Sequence, residues 1–175
     1  MRRKIPNLLS LLRLAAAPLL FFLLWRGYWG WALWTIALAA LTDALDGFLA
    51  RRFDAQSRGG EVLDPIADKA LLSGGFLALA FNGRIEPWLA ALVVGRDALI
   101  LSFALVALLR ASGKRFPPSG WGKASTVFQA LLVIALVLKL AAAMPGPVVT
   151  ILKWGTAALT AWSGIDYARR AIGQS

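Results

Sequence analysis

Between residues 43 and 68 the chain reads Asp43-Ala-Leu-Asp46-Gly47-Phe-Leu-Ala50-Arg51, and then places Gly60, Asp64 and Asp68 at close intervals. On a helix turning about 100° per residue, Asp43, Asp46, Gly47 and Ala50 fall within an arc of roughly 100° and form one face. Asp64 and Asp68 are one helical turn apart and stack on one face of the next helix, which runs antiparallel after a short loop. Two helices can therefore aim these carboxylates at one point. Crowded carboxylates repel, and an aspartate at membrane depth costs about 2.5 to 3.5 kcal/mol on insertion scales, so bound cations are the natural compensation. The chain has no His and no Cys. Its ligands are then oxygen only, which favours Mg²⁺ or Mn²⁺ over zinc, and carboxylates on two helices suit a pair of divalent ions. Gly47, Ala50 and Gly60 are small enough to let a nucleotide or a neighbouring helix approach the backbone. Arg51 is placed to pair with a phosphate.

The elements that position these residues are legible in hydropathy. Of the 175 residues 59% are hydrophobic and 16% charged, too apolar for an ordinary soluble domain. A bilayer core of about 30 Å needs roughly 20 apolar residues per helix. Spans are expected at Leu11–Trp25, Trp29–Leu49, Leu63–Phe81, Trp88–Leu109, Ala124–Ala143 and Val148–Tyr167. Turn residues separate them, as in Asn82-Gly83, Pro117-Pro118-Ser119-Gly120 and Pro145-Gly146-Pro147. The basic, leucine-rich stretch from Met1 to about Leu12 reads as an interfacial helix leading into the first span, or as a basic flank that orients the protein. No small-residue cleavage site follows it, so the first apolar run is expected to remain as an anchor. The fold class is thus all-α: an integral membrane bundle of six transmembrane helices with an N-terminal interfacial helix, in one domain over residues 1–175.

Charge gives the orientation. The formal net charge is +10, but the basic residues fall in short clusters between apolar runs. That pattern suits an anionic membrane surface and anionic lipid or nucleotide substrates, and does not form the continuous exposed face of a nucleic-acid binder. Arg2, Arg3, Lys4, Arg51, Arg52 and Arg58, with the clusters at 110–123 and 169–170, fall on the side shared by both termini. They outnumber Arg26, Arg84, Lys139 and Lys153 on the other. The excess places both termini and the carboxylates on the cytosolic side, in a bacterial inner membrane. Trp25, Tyr28, Trp29, Trp31, Trp88 and Trp154 cluster at the opposite ends of the spans, where amphipathic rings anchor helices.

The spacing Asp-x2-Asp-Gly-x2-Ala-Arg-x8-Gly-x3-Asp-x3-Asp resembles the signature of the CDP-alcohol phosphotransferase family, and residues 43 to 68 match every specified position. The resemblance extends over the six spans and the opening Pro6-Asn7-Leu-Leu-Ser-Leu-Leu-Arg13. It implies transfer of a phosphatidyl group from CDP-diacylglycerol to an alcohol, with release of CMP. It implies two divalent cations held by Asp43, Asp46 and Asp64. Asp68 would be the general base toward the acceptor hydroxyl, with metal contact as well. By the same resemblance Asp43, Gly47, Ala50, Arg51 and Gly60 line the CDP site. A second copy of the chain is a candidate partner, beside membrane lipids.

The acceptor turns on two further features. Arg96-Asp97 sits within the fourth span, and Gly122-Lys123-Ala-Ser125-Thr126-Val-Phe-Gln129 opens the fifth. Arg96 either holds an acceptor phosphate or, with Asp97, pairs with other buried charges. Lys123 either holds that phosphate or snorkels to the interface. In the family resembled, phosphatidylglycerophosphate synthases tend to carry Arg-Glu and Gly-Lys-x-Lys-Thr at these places, whereas cardiolipin synthases tend to carry Arg-Asp and Lys-x-(Asn or Ser)-Thr-x-x-Gln. Asp97 and Ser125 favour phosphatidylglycerol as acceptor, with glycerol 3-phosphate as the alternative. Arg96, Lys123 and Ser125 are the expected acceptor-phosphate residues. A cation transporter with intramembrane carboxylates is the rival from another class, though it leaves Gly60 and the small face at Gly47 and Ala50 unexplained.

Overall fold

The computed structural model describes residues 5–53, 60–109, 119–142 and 146–172, with side chains described for 12–45, 66–102, 119–142 and 146–170. These residues form helices α1 (Ile5–Arg26), α2 (Trp29–Phe53), α3 (Gly60–Phe81), α4 (Pro87–Leu109), α5 (Gly120–Ala142) and α6 (Gly146–Ile172). The all-α class follows, with no strand among the described residues. Residues 5–12 continue into α1 without a break, and Met1–Lys4 of the expected interfacial stretch lie outside the described residues. At about 1.5 Å per residue each helix exceeds 30 Å. By length and apolar composition together, α5 is the helix among the described residues that suffices to cross a membrane; Trp29–Leu45 within α2 is a shorter apolar stretch.

The turns are built by glycine. Gly27 and Gly83 take positive φ (77° and 67°), where a Cβ would be strained. Each closes a Schellman-type end: Tyr28 N–H donates to the Leu23 carbonyl (2.8 Å) and Arg84 N–H to the Leu79 carbonyl (2.8 Å). Asn82 then ties the two ends together, its Nδ2 donating to the carbonyls of Leu24 and Trp25 at 3.0 and 2.6 Å. At the same end Trp88 stacks on Trp154, Arg84 lies over the Trp29 ring and Lys153 pairs with Glu86. α5 starts on Ser119, whose Oγ accepts the Gly122 N–H at 3.0 Å and so satisfies one free donor of the first turn.

Packing places α1 most extensively on α3 and α5 on α6, while α2 touches α1 and α5, and α4 touches α3 and α6. Leu20, Leu24, Phe76, Leu79, Leu89 and Leu132 are fully buried at the centre. Many large hydrophobic side chains lie on the outside, among them Trp31 and Ile151, each 70% exposed. Against such surroundings helix association depends on close packing and interhelical hydrogen bonds. The α5–α6 seam shows both. Ser125 Oγ and Thr160 Oγ1 are 3.0 Å apart, Gln129 Nε2 donates to each at 3.2 Å, and Thr156 Oγ1 donates to the Phe128 carbonyl at 3.1 Å. Gly155 lets the Phe128 ring lie against its backbone: a Cβ there would stand 2.7 Å from the ring.

Candidate active site

Helix α2 carries Asp43, α3 carries Asp68, and between them stands the guanidinium of Arg13 from α1. Arg13 Nη2 is 2.8 Å from Asp43 Oδ1 and Nη1 is 2.6 Å from Asp68 Oδ1. The side chain of Arg13 is 2% exposed while those of the aspartates are 61% and 46% exposed, so the cation is sealed beneath two carboxylates that open outward. Its own donors are incompletely used. Nε has no hydrogen-bond partner among the described residues, and Nη2, although in ion-pair contact with Asp43, is not aligned for a hydrogen bond. In the sequence Arg13 stands only at the end of the opening Pro6–Arg13 run, with no carboxylate near it. Its partners lie far along the chain, and only the packing of α1 against both α2 and α3 brings them together.

Below this cluster lies a cavity of about 220 Å³ between α1, α2, α3 and α5. Arg13, Asp43 and Asp68 line it together with apolar residues such as Ile36, Leu72 and Ile134. Its polar lining is small, and the described charges are Arg13, Asp43 and Asp68. The arrangement offers a charged group at the head and an apolar slot below, the two chemistries that a phospholipid combines.

Lys69, next to Asp68, points the other way. Its Nζ donates to Asp97 Oδ1 at 2.7 Å, Ser73 Oγ donates to Asp97 Oδ2 at 3.1 Å, and Arg96 Nη1 donates to Asp97 Oδ1 at 2.7 Å. Arg96 also donates to Ser163 Oγ (2.9 Å) and to the Gly122 carbonyl (3.3 Å), with its guanidinium over the Tyr167 ring. One buried network thus links α3, α4, α5 and α6 and fixes the register of the turn that presents Asp68. Arg96 and Asp97 thus pair with each other, and Asp97 with Lys69 as well. Lys69 and Ser163 were absent from the sequence reading, since neither belongs to a spaced motif.

The expected site residues divide accordingly. Asp43 and Asp68 share the Arg13 guanidinium. Asp46, Gly47, Ala50 and Arg51 lie on the helical backbone of α2, and Gly60 and Asp64 on that of α3; their side chains lie outside those described. In register, Asp46 is one turn beyond Asp43 and Asp64 one turn before Asp68. The acceptor-phosphate set is not gathered at the cavity. Arg96 spends its donors on Asp97, Ser163 and Gly122, and Ser125 is buried in the α5–α6 seam. Lys123 is exposed on the first turn of α5, three residues before Thr126, which does line the cavity. Among the described residues no group of three or more carboxylates is gathered, the side chains of Asp46 and Asp64 lying outside them; the two that are described, Asp43 and Asp68, offer oxygen donors only, the kind that Mg²⁺ or Mn²⁺ takes.

A family model for CDP-alcohol phosphatidyltransferase matches residues 3–162. The chain belongs to that family. Among its relatives, a cardiolipin synthase (CMP-forming) from Streptomyces coelicolor is 37% identical over 131 residues, covering 70% of this chain and 59% of that protein. A probable phosphatidylglycerophosphate synthase from Mycobacterium tuberculosis is 30% identical over 174 residues, covering 95% of this chain and 80% of its own. A CDP-diacylglycerol–glycerol-3-phosphate 3-phosphatidyltransferase from Aquifex aeolicus is 37% identical over 136 residues, with 75% and 74% covered. The chain spans somewhat more than half the length of several relatives, 59% of the Streptomyces protein and 55% of a chloroplastic rice phosphatidyltransferase.

Proposed function

We propose that this protein is a membrane-embedded transferase that moves the phosphatidyl group of CDP-diacylglycerol to the hydroxyl of a glycerol-type acceptor and releases CMP. The observation that carries the proposal is the convergence of Asp43 and Asp68, from separate helices, at the head of an apolar cavity. The apolar exterior and helices of bilayer length support six spans, with the carboxylates near the cytosolic face, where lipid tails stay in the bilayer and cytidine reaches water.

Asp43, Asp46, Asp64 and Asp68 are the residues that would hold two divalent cations, Mg²⁺ or Mn²⁺. When bound, these would neutralise the diphosphate and stabilise the departing CMP. Asp68 accepts the proton of the acceptor hydroxyl. The acceptor oxygen forms its bond to the lipid-side phosphorus, and the bond from that phosphorus to the bridging oxygen breaks, the electron pair leaving with CMP. Gly47, Ala50, Arg51 and Gly60 border the CDP group. The buried network from Lys69 through Asp97 to Arg96 holds the Asp68 turn in place without touching substrate. Lys123, exposed beside the cavity, takes the acceptor's phosphate, with Arg96 and Ser125 in the layer behind it.

Asp97 and Ser125 favour phosphatidylglycerol as acceptor, which makes the reaction cardiolipin synthesis. Glycerol 3-phosphate is the second reading, favoured by the Mycobacterium and Aquifex relatives, which are aligned over most of their lengths. Thin-layer analysis of purified protein given labelled CDP-diacylglycerol and each acceptor separately decides between them. Cardiolipin is the expected product; phosphatidylglycerophosphate without cardiolipin would transfer the assignment to glycerol 3-phosphate.

A further inference from the structure

Arg13 occupies the place where the proposed chemistry needs other things. Its guanidinium lies within 2.8 Å of Asp43 and 2.6 Å of Asp68. A small divalent ion coordinated at about 2.0 to 2.2 Å by these same oxygens, Asp43 Oδ1 and Asp68 Oδ1, would stand close to the guanidinium, and the two cations would repel. Yet with both aspartates ionised and no cation nearby, two carboxylates on facing helices would repel each other. We propose that Arg13 is a resident counter-ion of the metal site: it neutralises Asp43 and Asp68 in the metal-free protein, and divalent cations bind by displacing it.

Three observations carry this. The guanidinium bridges two helices, so it replaces a cation rather than decorating one carboxylate. It is buried beneath the aspartates while they are exposed, so an ion arriving from the open side meets the carboxylates first. Its Nε and Nη2 are without hydrogen-bond partners among the described residues, and the side chain lines the cavity. A displaced side chain therefore has open space beside it, with the exposed side of the carboxylates within reach of its guanidinium. The inference rests on the proposal that Asp43 and Asp68 bind metal, and its test separates the two.

The experiment titrates Mn²⁺ into the full-length protein in detergent without lipid substrate, reading free Mn²⁺ by electron paramagnetic resonance. Wild type, Arg13→Gln, Arg13→Lys and Asp43→Asn are compared. Removing a charge-assisted contact that the metal must break should tighten binding, so Arg13→Gln is expected to lower the Mn²⁺ dissociation constant on the order of 10-fold or more. Arg13→Lys keeps the charge and should stay near wild type. Thermal unfolding adds an independent readout: Arg13→Gln should melt below wild type without metal and recover most of the difference with saturating Mn²⁺. Equal or weaker Mn²⁺ binding by a folded Arg13→Gln protein overturns the inference. If Arg13→Gln does not fold, Arg13→Lys decides through the geometry of the pair: a shorter ammonium that spans both carboxylates less well should bind Mn²⁺ no more weakly than wild type, and weaker binding overturns the inference. Saturable binding by wild type that Asp43→Asn abolishes upholds the metal reading whatever Arg13 does. Its absence in every variant removes both.

Discussion

Replacing Asp97 with Asn should lower the stability of the protein by about 3 kcal/mol, because Asp97 is the only carboxylate among the described residues that faces both Lys69 and Arg96. Its two oxygens accept hydrogen bonds from Lys69, Ser73 and Arg96 at 2.7, 3.1 and 2.7 Å, and the Asp97 and Arg96 side chains are each 5% exposed. Breaking a buried ion pair by neutralising one partner typically costs about 3 to 5 kcal/mol, since the other charge is left uncompensated. Lys69 is less deeply buried and Arg96 keeps Ser163 and Gly122, so the lower end of that range applies. For a chain of this size about 3 kcal/mol corresponds to a fall in Tm of roughly 6 to 12 °C. Thermal unfolding in detergent, followed by circular dichroism, measures it. Lys69→Met and the double variant Lys69→Met/Asp97→Asn complete the cycle, and the double variant should lose clearly less than the sum of the two singles. A fall of under about 2 °C, or strictly additive losses, would refute the claim that this network holds the α3 turn bearing Asp68.

Asp46→Asn and Asp64→Asn should each abolish turnover while the protein stays folded, checked by CMP release and circular dichroism; retained turnover in either removes it from the cation site. Lys123→Ala should raise the acceptor KM by roughly 10- to 150-fold, as loss of a charge-assisted hydrogen bond implies, with little change for CDP-diacylglycerol. Gly155→Val forces side-chain carbon into the space of the Phe128 ring, 2.7 Å from the Cβ position, and should cost about 1 to 3 kcal/mol in a thermal melt. The hydrogen bond from Lys153, at 2.6 Å, holds the Glu86 carboxyl below the usual carboxylate value. The folded-state value is the lower one, so this pair's contribution is present at neutral pH and is lost as pH falls through the depressed value. Because Glu86 is exposed, Glu86→Gln should cost less than about 1 kcal/mol at pH 7 and nothing once the pH has fallen below the depressed value, as parallel melts would show.

Helix number and order were legible because apolar runs and Gly- or Pro-bearing turns mark them. Trp29 and Phe81 bound their helices where the hydropathy placed them, and Asn82-Gly83 is the turn it promised. The helices run further than the apolar runs at the ends bearing charges: α2 continues past Leu49 to Phe53, α3 begins at Gly60 and α5 at Gly120. Hydropathy reports what lipid or a core must cover, whereas a helix persists as long as its backbone bonds and caps allow, as at Ser119. Helical periodicity told which residues share a face within α2 and within α3, but not what would stand between Asp43 and Asp68. Arg13 was not legible, since a basic residue near a basic N-terminus looks like an interfacial flank until α1 is packed against both α2 and α3. The roles of Arg96 and Ser125 also depended on packing: a polar residue inside a helix faces either a site or another helix, and here Ser163, Asp97, Thr160 and Gln129 take up their hydrogen bonds.

The most direct test of the central claim is the release of CMP from CDP-diacylglycerol by the purified protein, measured with each candidate acceptor, with Mg²⁺ or Mn²⁺ and with chelator. The account predicts one CMP for each molecule of phospholipid product, no release when chelator removes the cations, and none from Asp43→Asn. A folded wild-type protein that releases no CMP with any glycerol-type acceptor, or an Asp43→Asn variant that releases it at the wild-type rate, would contradict it.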